Sequence, residues 1–131
     1  MSVIVNNVTK IYGKQKALDD VSFVVEPGHI VGFLGPNGAG KSTMMKILTT
    51  YLKANEGQAK VNGYHVDTNS KEVQQSVGYL PEHNPLYLEQ YVKEYLAFNA
   101  NIYGVSKQRI NEVIELTGLR PESHKKIGQL S

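Results

Sequence analysis

The run Gly35-Pro36-Asn37-Gly38-Ala39-Gly40-Lys41-Ser42 constrains this chain more than any other stretch. It fills the pattern G-x-x-x-x-G-K-[S/T] at every defined position. From average residue usage, a chain of this length shows that pattern by accident in roughly half a percent of cases. On its N-terminal side, residues 30–34 form a short apolar run, the pattern of a strand buried in a parallel sheet. On its C-terminal side, Met44, Met45, Ile47, Leu48, Tyr51 and Leu52 recur at helical spacing, which predicts an amphipathic helix over 41–52. A strand, a glycine-rich loop and a helix in that order are the context the pattern requires.

The chemistry follows from the residue types. Gly38 and Gly40 let the backbone curl so that successive N–H groups converge on one anion. The helix N-terminus adds free N–H groups and the positive end of its dipole. Lys41 brings a full charge to β and γ oxygens, the Ser42 hydroxyl is placed to ligate Mg²⁺, and Thr43 is available to an α-phosphate. A tight strand-to-helix turn alone would leave Lys41-Ser42 unexplained. Triphosphate binding is the expectation.

The remainder reads as an α/β chain. Val3, Val5 and residues 8–12 read as short strands interrupted by Asn6-Asn7, and residues 17–25 alternate as a half-buried strand closed by Pro27-Gly28. Residues 58–66 read as a β-hairpin around Asn62-Gly63. Residues 71–76 suit one or two helical turns, and 77–80 is a second short buried-strand candidate. After the Pro81 to Leu88 loop, helices are expected over 90–103 and 106–117, with Ser106 as N-cap and Gly104 and Gly118 as stops. Beyond Leu119 the pattern fades.

Composition closes off several classes. The 131 residues are one domain's worth, and 40% hydrophobic content argues against disorder. The chain has no Cys, which excludes disulfide scaffolds, Cys-ligated metals and thiol nucleophiles. No apolar run is long enough for a membrane span, and the Met1 to Asn7 segment lacks the features of a secretory signal. A cytosolic domain is expected. Fourteen Lys and Arg against twelve Asp and Glu give +2, a weak basis for a polyanionic partner, so no nucleic acid is expected. His29, His65, His83 and His124 are scattered without metal-ligand spacing and read as surface residues. Lys10, Lys14 and Lys16 read as a solvated edge.

The segments 8–13 and 17–23, together with the Gly35 to Thr43 loop, resemble the start of an ABC-type ATPase domain. The sub-motif Gly78-Tyr79-Leu80-Pro81-Glu82-His83-Asn84-Pro85-Leu86-Tyr87 is similar to that of the ATP-binding subunits of bacterial gliding-motility ABC transporters. The resemblance spans residues 2–131. It implies a P-loop NTPase core with an antiparallel β-subdomain and a partial helical subdomain. Residues 1–34 would be mostly β-subdomain plus the P-loop strand, 35–83 the loop, helix and core, and 84–131 the helical subdomain.

The same resemblance implies roles for single residues. Tyr12 takes the position of an aromatic that stacks on adenine; packing as an ordinary strand residue is the alternative. Glu82 takes the place of a Gln that ligates Mg²⁺ and senses the γ-phosphate. A carboxylate binds magnesium more strongly but repels the γ-phosphate, so Glu82 either reaches the metal, through water, or caps the loop. Tyr87 and Leu88 are expected in a surface that receives a membrane-embedded permease, an idea that fails if both are buried.

Leu130-Ser131 matches the first two residues of the family's signature motif. The resemblance places the acidic strand, the catalytic glutamate and the switch histidine further on, so the 131 residues are expected to bind Mg-ATP without turning it over. The acidic strand would lie between the 77–80 and 30–34 strands. Without it, self-association or weak stability is expected. The implied whole is the ATP-binding subunit of an ABC transporter. It would be a cytoplasmic protein, peripheral on the membrane through a permease, and dimeric with ATP bound. The alternative is a soluble ABC-type ATPase acting on ribosomes or DNA. A small-molecule kinase or GTPase fits the upstream β-region and Tyr12 poorly.

Overall fold

Two asparagines reshape the first strand of the protein, for which the computed structural model describes residues 1–130. Strand β1 (Val3–Tyr12) is continuous, where the sequence suggested two short strands. Its register against β2 (Gln15–Val25) slips between Val5↔Phe23 and Val8↔Val21, so Asn6-Asn7 hold one extra residue. That bulge keeps Val3, Val5 and Val8 on one buried face although they are unevenly spaced. Asn7 adopts φ 49° and Asp20 φ 52°, and the Asn7 amide donates to the Asp20 carboxylate at 2.7 Å. Thr9, buried on the same strand, accepts the Asp20 N–H through its hydroxyl at 3.0 Å.

Two compact units make up the chain, Met1–Leu80 and Pro81–Ser131. In the first, β3 (Glu56–Val61) pairs antiparallel with β1, and β4 (Tyr64–His65) pairs with β3, giving the sheet order β2-β1-β3-β4. The Asn62-Gly63 turn has φ 51° and 84°, both positive, as a tight two-residue hairpin turn demands. Helices α1 (Lys41–Leu48) and α2 (Ser70–Ser76) complete this unit. Met44 and Ile47 of α1 and Val73 of α2 share one core with Val3, Val5, Val8, Leu18, Ala59, Val61 and Val66.

Helix α1 stops four residues short of the expected end. Thr50 takes φ 65°, and the N–H groups of Tyr51 and Leu52 both turn back to the Lys46 carbonyl, at 2.8 and 3.0 Å. Tyr51 is consequently exposed, while Leu52 still packs against the core.

The two expected parallel strands, residues 30–34 and 77–80, are not strands. Neither pairs with the other nor with the sheet. A five-residue apolar run has no strand stability without ladder partners, and none lies alongside these runs among the described residues. Ile30 and Leu34 are fully exposed, at 104% and 93%, and Leu80 at 80%. Only Phe33, tilted against Phe23 at 5.5 Å, and Val77 reach the core.

The second unit holds α3 (Val92–Ile102) and α4 (Lys107–Leu116). Both end on the expected glycines: Gly104 has φ 64° and Gly118 φ 69°. The next N–H groups, of Val105 and Leu119, cap the Ala100 and Ile114 carbonyls at 2.8 and 3.0 Å. Ser106 holds the N-cap position of α4, but its hydroxyl makes no capping bond. The segment after Leu119, featureless in sequence, forms short 3₁₀ turns at Arg120–Glu122 and Ile127–Gln129. Ile127 and Gly128 donate to the Gln90 and Leu88 carbonyls, both at 2.9 Å, which anchors the loop before α3. Ser131, the second residue of the signature-motif match, lies outside the described residues.

Candidate functional site

Gly40 is the hinge between loop and helix. At φ 83° it is the N-cap of α1, and a Cβ there would fall on the Ala17 carbonyl oxygen and lie 2.7 Å from Leu18 Cδ2. Only glycine lets the loop lie this close to β2. The Ala39 N–H donates to the Pro36 carbonyl at 3.2 Å, and Met44 makes the first helical bond, to Gly40, at 2.9 Å. No side chain caps α1 and its first turn holds no acidic residue, so the N–H groups of Lys41, Ser42 and Thr43 lack intrahelical acceptors.

The Lys41 ammonium folds back over the loop and donates to the carbonyl oxygens of Gly35 and Pro36, at 2.6 and 2.7 Å. Ser42 sits exposed at the second position of the helix, and Thr43, half-buried, follows. Free N–H donors, an ammonium and two hydroxyls gathered at one turn suit an anion with several oxygens. A Mg²⁺ ion bound with nucleotide takes most of its ligands from phosphate and water and needs one or two protein oxygens, which the Ser42 hydroxyl fits. No group of three or more His, Asp or Glu lies together among the described residues, so no all-protein metal cage exists there.

Tyr12 ends β1 in the same unit and is half exposed, at 47%. Lys10 is not the free cation of a solvated edge. Its ammonium lies 5.5 Å from the Tyr12 ring centroid and donates to the Lys53 carbonyl at 2.7 Å. Of its two sequence companions, Lys16 pairs with Asp19 at 2.8 Å and Lys14 is exposed. The spacing of Lys10 and Tyr12 by two on one strand was the signal that could have found the contact.

In the second unit, Glu82 is exposed in the loop that opens it. Tyr87 and Leu88 are exposed at 59% and 57%, and Tyr87 packs edgewise on Phe98 with centroids 6.5 Å apart. The four histidines are all exposed or half-exposed.

The ABC transporter family profile matches residues 18–131. The bacitracin transport ATP-binding protein BcrA of Bacillus licheniformis is 38% identical over 134 residues, an alignment covering 100% of this chain and 44% of that protein. The doxorubicin resistance ATP-binding protein DrrA of Mycobacterium tuberculosis is 36% identical over 137 residues, covering 100% of this chain and 41% of its own length. Among solved structures, an ATP-binding subunit of an ABC transporter superposes with a TM-score of 0.84 at 29% identity, over 100% of this chain and 56% of that one. A dimeric post-hydrolysis ATP-binding cassette bound to ADP and Pi gives 0.80 at 25% identity, over 98% and 63%. The chain belongs to the ABC transporter family, in its ATP-binding domain of P-loop NTPase fold. It spans less than half the length of the two curated relatives named here. No helix among the described residues is long and apolar enough to cross a membrane.

Proposed function

We propose that this chain is the nucleotide-binding part of an ABC transporter's ATP-binding subunit. The uncapped start of α1 carries the reading, with Lys41 folded across the Gly35 to Gly40 loop. The loop N–H groups and Lys41 hold the β and γ oxygens of ATP, Thr43 contacts the α-phosphate, and Ser42 supplies an oxygen to Mg²⁺. Tyr12 stacks on adenine. Glu82, exposed in the loop that opens the second unit, keeps its carboxylate open to solvent. Titration of the purified chain with ATP and Mg²⁺ tests this: saturable binding that prefers ATP over GTP is expected, and indifference to nucleotide would overturn it.

In the intact protein, two such domains close on ATP and hydrolysis reopens them, with a membrane permease as the second kind of partner. The exposed Tyr87 and Leu88 support a docking surface for that permease, which would hold the subunit on the cytoplasmic face of the membrane. Co-purification with a membrane protein, lost in Tyr87→Ser with Leu88→Ser, is the expected result. Co-purification with ribosomes would revive the soluble alternative, which the transport and resistance names of the relatives do not favour. The Gly78 to Tyr87 run supports a finer placement on the gliding-motility branch, though none of the relatives named above bears that function. The 131 residues bind ATP without turning it over, because phosphoryl transfer needs a group that orients water beside the γ-phosphate. Steady hydrolysis by the purified chain would refute this.

A further inference from the structure

Lys10 and Tyr12 project from the same side of β1, two residues apart. The Lys10 ammonium lies over the Tyr12 ring, 5.5 Å from its centroid, and is itself fixed by the Lys53 carbonyl at 2.7 Å. The strand backbone is fastened to the same link. Asn55 Oδ1 accepts the Ile11 N–H at 2.8 Å, and the Asn55 N–H donates to the Thr9 carbonyl at 2.9 Å. Lys53 and Asn55 belong to the connection between α1 and β3, and α1 begins at the phosphate loop. These contacts tie the aromatic ring, through one ammonium, to the connection that follows α1, the helix whose first turn is the anion cradle.

We infer that Lys10 is a positioning residue for nucleotide binding: it covers one face of the Tyr12 ring, leaves the other for the base, and holds that platform in register with the phosphate loop. The inference rests on the reading of Tyr12 as the adenine platform. A half-exposed tyrosine at a hairpin end is otherwise free to rotate, and ordering it on binding opposes affinity. A cation held on the far face orders the ring beforehand, and at an exposed site that contact is worth about a two- to fivefold change in binding.

A double-mutant cycle on the full chain tests it, reading dissociation constants for Mg-ATP and for inorganic tripolyphosphate. Lys10→Met is expected to weaken Mg-ATP binding about two- to fivefold, to leave tripolyphosphate binding unchanged, and to cost nothing further in a Tyr12→Ala background. Lys10→Arg should restore wild-type affinity, since a guanidinium also lies well on an aromatic face. Equal losses for ATP and tripolyphosphate would make Lys10 a general attractor of anions and overturn the inference. So would a Lys10→Met effect that adds in full to that of Tyr12→Ala. If Tyr12→Ala weakens ATP binding while Lys10→Met does not, the platform stands and Lys10 has no part in it. If Tyr12→Ala itself changes nothing, the platform reading fails and takes the inference with it.

Discussion

Lys41 donates to the Gly35 carbonyl oxygen at 2.6 Å, so the loop's cation is satisfied by the loop's own backbone. The Pro36 carbonyl takes a second bond from the same ammonium at 2.7 Å. A polyphosphate offers this group better acceptors, because its oxygens are charged and carbonyls are not. Lys41→Ala is therefore expected to weaken ATP binding about ten- to a hundredfold, the range for a hydrogen bond to a charged partner. Its thermal midpoint should hardly move, since both bonds are exposed. Isothermal titration against a paired melting curve separates the two effects. A large fall in midpoint with unchanged affinity would make Lys41 a structural clasp.

Gly40 and Gly38 share almost the same backbone angle, φ 83° and 84°, yet differ in surroundings. A Cβ at Gly38 meets nothing within 4 Å, whereas at Gly40 it falls on the Ala17 carbonyl. Gly38→Ala should cost only the left-handed strain, about 1 kcal/mol. Gly40→Ala adds a backbone collision and should cost about 3 kcal/mol, lowering the melting midpoint by roughly 10 °C or more. Circular dichroism melts of the two variants side by side check it; equal midpoints would mean that the β2 contact is not formed.

Those features were legible because they are local. The loop is written in consecutive residues, the Asn62-Gly63 turn in two, and the stops of α3 and α4 in single glycines with φ 64° and 69°. Residues 30–34 and 77–80 failed for the opposite reason. An apolar run announces burial, but whether it becomes a strand depends on partners that the run does not encode. The early end of α1 is a tertiary matter too: Gln74 Nε2 donates to Thr50 Oγ1 at 2.7 Å, anchoring the residue at which the helix reverses. Lys10 looked like a solvated charge because its acceptor, the Lys53 carbonyl, lies 43 positions away.

Val73 is the one wholly buried side chain of α2, a seven-residue helix without a capping side chain. A helix this short has no stability of its own and is held by packing. Val73→Ala removes two methyl groups from the first unit's core and should destabilise the chain by about 2 kcal/mol, transfer and cavity together. Amide exchange should then rise first over 70–76, ahead of β1. Uniform acceleration across the sheet would show that α2 and the sheet open as one unit.

The Lys126 ammonium donates to the Glu89 carboxylate at 2.9 Å, beside the backbone bonds by which Ile127 and Gly128 anchor the loop before α3. That hydrogen bond, and then the charge of Glu89, raise the Lys126 pKa above its ordinary 10.5. A cation whose pKa is raised on folding adds stability that is fully present below 10.5 and is lost as pH rises through the folded value. Wild type should exceed Lys126→Met in melting midpoint by a small, constant amount across neutral pH. The gap should close above pH 10.5, and at neutral pH it should shrink in high salt, because the pair is exposed. Paired melts from pH 7 to 11.5 measure it. A gap that survives deprotonation would credit the hydrocarbon stem of Lys126 instead of its charge.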